Sequence, residues 1–105
     1  MTDLPETMTV VAIREPGGPE VLVPETRPVP RPGPGEILVK VVAAGVNRPD
    51  IQQRRGLYPP PPGTTDIPGL DVSGVVDDVG EGVPHLKTGD AVCALVNGGG
   101  YADFC

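Results

Sequence analysis

Residues 36–50 read "EILVKVVAAGVNRPD", and the change of character at Gly45 sets the plan of the chain. The first part, "EILVKVVAAGV" (36–46), is almost continuously apolar and rich in valine. That pattern predicts a β-strand covered on both faces at its far end. Then "GVNRPD" (45–50) places an amide, a cation, a proline and a carboxylate in consecutive positions. Proline is tolerated in the first turn of a helix and aspartate suits the positive end of its dipole. Accordingly "PDIQQRRG" (49–56) predicts a short helix of barely two turns, stopped by Gly56.

On the N-terminal side, "MTVVAI" (8–13) and "PEVLVPE" (19–25) are β-branched segments flanking the turn residues Pro16, Gly17 and Gly18, which predicts a hairpin. The proline-rich 26–36 lacks amide donors and predicts an extended connector or edge strand. On the C-terminal side, the four successive prolines within 57–69 favour a stiff, left-handed extended segment. Residues 70–83 predict a long bent strand, with Gly74 at a bulge or close contact and Gly80 and Gly82 in the exit turn. A turn at Gly89 and Asp90 leads into a strand ending near 96, "NGGG" (97–100) is a loop, and "YADFC" (101–105) begins another strand. No helix is long enough to cover a parallel sheet, so the expected fold class is mainly β: a partly open antiparallel barrel with one or two short helices.

The 105 residues suit one domain. The 15 glycines and 15 prolines raise the question of disorder, which the recurring valine-rich runs answer in favour of a folded chain. Net charge is −6 and the eight basic residues are scattered, so no cationic stripe exists for a nucleic acid. No apolar run approaches the length of a membrane span, and the start "MTDLPETMTV" has neither a basic nor an apolar signal region. The expectation is a cytoplasmic protein with no membrane partner. Cys93, within an apolar strand, and Cys105 form neither a disulfide framework nor a metal-ligand spacing, and both are expected to be reduced structural thiols.

Two glycine pairs imitate a dinucleotide fingerprint. In "GPGEIL" (33–38) and "GEGVPH" (80–85) the third glycine is replaced by Leu38 or His85, and neither opens a helix, so both are expected to be turns. A triad built from Ser73 and His85 is rejected, since a strand and a loop would have to supply them.

Three segments read together carry more. These are "GVNRPD" (45–50), "PGLDVSGVVDDVGEGVPHLKTGDAV" (68–92) and "GGGYADF" (98–104). With them the chain resembles the N-terminal GroES-like catalytic domain of the medium-chain dehydrogenase/reductase superfamily. "GVNRPDIQQRRGLYPPPPG" is similar to the corresponding stretch of its zinc-free quinone oxidoreductases. Zinc-dependent members have a cysteine ligand after the Gly-Val pair and a histidine ligand in Gly-His-Glu; here Asn47 and then Leu70 and Asp71 align with those positions. Leucine is no ligand and an amide is a poor one for Zn²⁺, so no metal is expected.

The resemblance implies hydride transfer from NADPH to a quinone or enone, with no side chain acting as a catalytic residue in the ordinary sense. It places Asn47, Gln52, Gly99 and Gly100 toward the cofactor, and Tyr58 and Asp50 in the substrate cleft. For Asn47 and Asp50 the residues themselves equally allow helix capping, and for Gly98 to Gly100 a plain hairpin loop. Arg54 and Arg55 suit a solvated helix face. The resemblance also implies a homodimer for the full-length enzyme. Residues 1–105 are expected to be the GroES-like domain alone, the nucleotide-binding Rossmann domain being absent from the chain and the fragment inactive by itself. An enoyl thioester reductase of the same superfamily and a free-standing GroES-like assembly module remain open alternatives.

Overall fold

Alternation with period two shapes the first hairpin. In the computed structural model, which describes residues 4–105, strand β1 (Thr7–Ile13) buries Met8, Val10 and Ala12 and exposes Thr7 and Thr9. It pairs antiparallel with β2 (Leu22–Pro28), from Thr7 opposite Pro28 to Ile13 opposite Leu22. Between them a short 3₁₀ turn, Pro19–Val21, buries Val21. Pro24 and Pro28 fit β2 because it is an edge strand, where missing amide donors break no ladder.

A second antiparallel sheet holds β3 (Ile37–Ala44), β4 (Asp71–Val79) and β5 (Ala91–Leu95) in that order. Register shifts at Leu38/Val39 and Val41/Ala43 bend β3 against β4. Gly74 sits in this bend, where an added Cβ would collide with the Lys40 carbonyl oxygen, so the expected close contact is a backbone approach that glycine alone permits. The two fingerprint lookalikes are turns that touch each other: the Gly35 amide donates to the Glu81 carbonyl at 2.7 Å, and the Gly80 amide to that of Glu36 at 2.8 Å.

The last five residues join the two sheets. Val11 donates its amide to the Tyr101 carbonyl at 2.8 Å, and the Asp103 amide returns a bond to Thr9 at 3.1 Å. On the other side Val39 and Cys105 exchange a pair of bonds at 2.7 and 2.9 Å, and Val41 donates to Asp103 at 2.9 Å. Backbone pairing therefore runs β2, β1, 101–105, β3, β4, β5, with the two outer edges unpaired among the described residues, giving the partly open barrel. Its core is Met8, Val10, Ala12, Val29, Leu38, Ile67 and Phe104.

Helix α1 (Arg48–Arg54) starts one residue before the expected point. Asn47 is its N-cap in extended conformation, and Pro49 and Asp50 lie in the first turn. At the other end Gly56 takes φ +80, its amide reaches the Gln53 carbonyl at 3.0 Å, and the Leu57 amide reaches Gln52 at 2.8 Å. These are the two bonds of a Schellman stop, with glycine where a left-handed residue is required.

Two expectations are corrected. The far end of β3 is not covered on both faces: Val42 is 76% exposed and Val46, just past the strand, 75%, and Leu95 on β5 of the same sheet is 88% exposed. Only one face of the three-stranded sheet packs on the core, and no described element lies over the other. For the same reason Cys93 lies in a strand yet is exposed, because strand alternation turns it outward. Cys105 is half-buried, and that burial pushes its thiol pKa up.

Candidate functional site

Asp50 is 5% exposed and is the buried charged side chain among the described residues. As the third residue of α1 its carboxylate turns back to the helix start, where Oδ2 accepts the Asn47 amide at 2.9 Å. The same oxygen accepts the Tyr101 hydroxyl at 2.9 Å, and Oδ1 accepts the Gly69 amide at 3.2 Å. One carboxylate thus ties together the three segments that the sequence singles out. Asp71 in turn accepts the Gly45 amide at 2.9 Å, fastening the end of β3 to the start of β4. The Asn47 and Gly69 amides therefore meet on one carboxylate, that of Asp50.

Asp50 was expected in the substrate cleft. It has donors on both oxygens and borders a 150 Å³ cavity together with Val46, Ile51 and Tyr101. Asn47 is half-buried at the helix start and Gln52 half-buried on the helix. Tyr58 is 43% exposed and lines a 310 Å³ cavity with Gln53, Pro60, Leu70, Val96 and Asn97. On the helix it is Gln53, one position after Gln52, that reaches this cavity, with its Nε2 donating to the Asp66 carbonyl at 2.9 Å.

The glycine loop has a tight structural use. The Gly99 amide donates to Ile67 at 2.8 Å and the Gly100 amide to Gly69 at 3.2 Å. A Cβ on Gly69, whose φ is +110, would come within 2.7 Å of Gly100 Cα. Two backbones meet here without side chains between them.

Arg54 clamps the helix end rather than facing solvent freely: its Nε donates to the Gly17 carbonyl at 3.0 Å and the Gly17 amide returns to Arg54 O at 2.9 Å. Among the described residues no group of three or more His, Cys, Asp or Glu is placed to hold a metal ion.

Tyr101 is the residue that sequence reasoning passed over. Burial first, then the hydrogen bond to the Asp50 carboxylate, raises its pKa well above the ordinary range. A folded-state pKa above the unfolded value of about 10 means stability that is complete below pH 10 and is lost as pH climbs toward the folded value. We expect spectrophotometric titration to show one of the two tyrosines ionising only as the chain unfolds in alkali. Tyr101→Phe should remove that transition and leave the other tyrosine unchanged. An ordinary titration of both tyrosines in the folded protein would count against the bond.

Residues 33–105 match the family described as the alcohol dehydrogenase GroES-like domain. The chain is 41% identical over 99 residues to a quinone oxidoreductase of Rattus norvegicus, covering 92% of itself and 30% of that protein. It is 44% identical over 86 residues to an alcohol dehydrogenase of Rhizobium meliloti, covering 82% of itself and 25% of that protein. The crystal structure of human synaptic vesicle membrane protein VAT-1 homolog-like protein superposes with a TM-score of 0.86 at 33% identity, over 94% of this chain and 32% of that one. The chain thus spans about a third or less of the length of these proteins.

Proposed function

Because the chain belongs to the medium-chain dehydrogenase/reductase superfamily, as a GroES-like domain of the alcohol dehydrogenase type, we propose that it forms one wall of the cleft of a zinc-independent, NADPH-dependent quinone oxidoreductase. The observation that carries this reading is the meeting of Asn47 and Gly69 on the Asp50 carboxylate, with Gly45 bound to Asp71 in the same two segments. Where a metal pocket would need thiolate or imidazole, the chain sets an amide and Leu70, a donor set that does not fit zinc.

NADPH, when bound, supplies the hydride for a quinone or activated alkene. The residues of this chain orient and shield. The Asn47 carboxamide has two donors and an acceptor, which suits the amide or ribose of a nicotinamide nucleoside. Tyr58 offers a neutral donor at the mouth of the 310 Å³ cavity, and Leu70 and Val96 make its floor apolar. Water excluded from that floor strengthens each remaining hydrogen bond. None of these groups needs to gain or lose a proton, in keeping with positioning as the protein's share of catalysis.

The test is NADPH oxidation by 1,4-benzoquinone, with an enoyl thioester in parallel, on the longest product of the coding sequence that contains these residues. Turnover is expected with the quinone and unchanged by 1,10-phenanthroline, and the 105-residue chain alone is expected to show none. About one tightly held zinc per chain, or activity lost to the chelator, would sink the zinc-free reading. Preference for the thioester would replace the quinone.

A further inference from the structure

The cavity beside Tyr58 has a lining with no charge. Its 310 Å³ are bounded by Gln53, Tyr58, Pro60, Pro61, Leu70, Leu95, Val96 and Asn97, a size at the lower end of small-molecule sites. Of its three polar side chains, Gln53 has its Nε2 held by the Asp66 carbonyl at 2.9 Å, which leaves its oxygen as an acceptor. Asn97 has no side-chain hydrogen bond to any described residue, and it stands in a loop anchored on both sides. The Val96 amide donates to Leu70 at 2.8 Å, the Gly99 amide donates to Ile67 at 2.8 Å, and the intervening Gly98 takes φ +138.

Such an amide is held at the rim of the cavity without being used by the fold. A ligand carrying a full charge would leave its hydration there with no counter-ion to receive it. A flat, neutral ligand with an acceptor oxygen would bury its ring on Leu70, Val96 and the prolines and accept from the rim.

We propose that Asn97 is a specificity-determining residue, which with the Tyr58 hydroxyl selects neutral carbonyl compounds over charged ones by donating to the carbonyl oxygen. This rests on reading the cavity as the substrate side of the cleft.

The test uses the ¹⁵N-labelled 105-residue chain, titrated with acetophenone and, separately, with 4-acetylbenzoate, the same ketone bearing a carboxylate. Acetophenone is expected to bind weakly and to move the signals of Val96, Leu70 and the Asn97 side-chain amide, with 4-acetylbenzoate at least about fivefold weaker. Asn97→Leu, at an exposed loop position, should weaken acetophenone about fivefold, the share of one neutral hydrogen bond. Asn97→Asp should weaken it at least as much. If both variants keep full affinity while the Val96 and Leu70 signals still move, Asn97 is not the determinant and the cavity remains the site. Equal binding of the two ketones overturns the selection for neutral ligands. No movement at Leu70, Val96 or Tyr58 with acetophenone overturns the cavity itself as a substrate site.

Discussion

Deletion of residues 101–105 is expected to abolish cooperative unfolding. This segment is the bridge between two sheets that otherwise share no pairing among the described residues, with bonds to Thr9 and Val11 on one side and to Val39 and Val41 on the other. It also carries Phe104, 7% exposed within the core cluster. Removing a buried phenylalanine side chain alone costs about 3–5 kcal/mol, against a total stability of about 5–15 kcal/mol for a domain. Without the bridge, β1 and β3 each expose an unpaired edge next to an opened core. Urea titration followed by circular dichroism should show a broad, shallow change in the deleted chain. Phe104→Ala alone should keep a single transition, moved to much lower urea. A deleted chain that unfolds sharply near the original midpoint would mean that the sheets are held together by something other than this segment.

Asp50→Ala is the second large effect, expected at about 3–5 kcal/mol from the donors it leaves without an acceptor. Three donors lose their acceptor at once: the Asn47 amide, the Gly69 amide and the Tyr101 hydroxyl. A buried donor without a partner costs about 1–3 kcal/mol. For a domain of this size the midpoint should fall by on the order of 15 °C. Asp50→Asn keeps one acceptor oxygen and the shape, and should lose about half as much. Amide hydrogen exchange adds a local readout, since Asn47 and Gly69 should exchange faster in both variants than the amides of β4. Protection at Gly69 that survives Asp50→Ala would remove the carboxylate from its place as the tie among the three segments.

Much of the fold was legible because its causes are local. Met8, Val10 and Ala12 announce a half-buried strand by their spacing, and Gly56 ends the helix because the stop needs a left-handed residue. Gly74 was readable as a close contact, since a glycine inside a valine-rich strand has few other uses. At the site, the juxtaposition of "GVNRPD" with the 68–71 turn followed from the family likeness. The Tyr101 to Asp50 bond did not, because 51 positions separate the two residues and no periodicity connects them. A tyrosine directly after a glycine loop was the available signal.

The order of amino acids by itself determined that the chain is mainly β and where the short helix and most of the strands fall, although the second strand runs over Leu22–Pro28 instead of 19–25. Only the tertiary structure decided which face of each strand meets the core, that Cys93 and the end of β3 lie open, and that Gly100 packs against the backbone of Gly69. The physical reason is one of range. Backbone preference and side-chain alternation act over a few residues, whereas burial and hydrogen-bond partnership depend on which distant segment arrives alongside, as the last five residues do between β1 and β3.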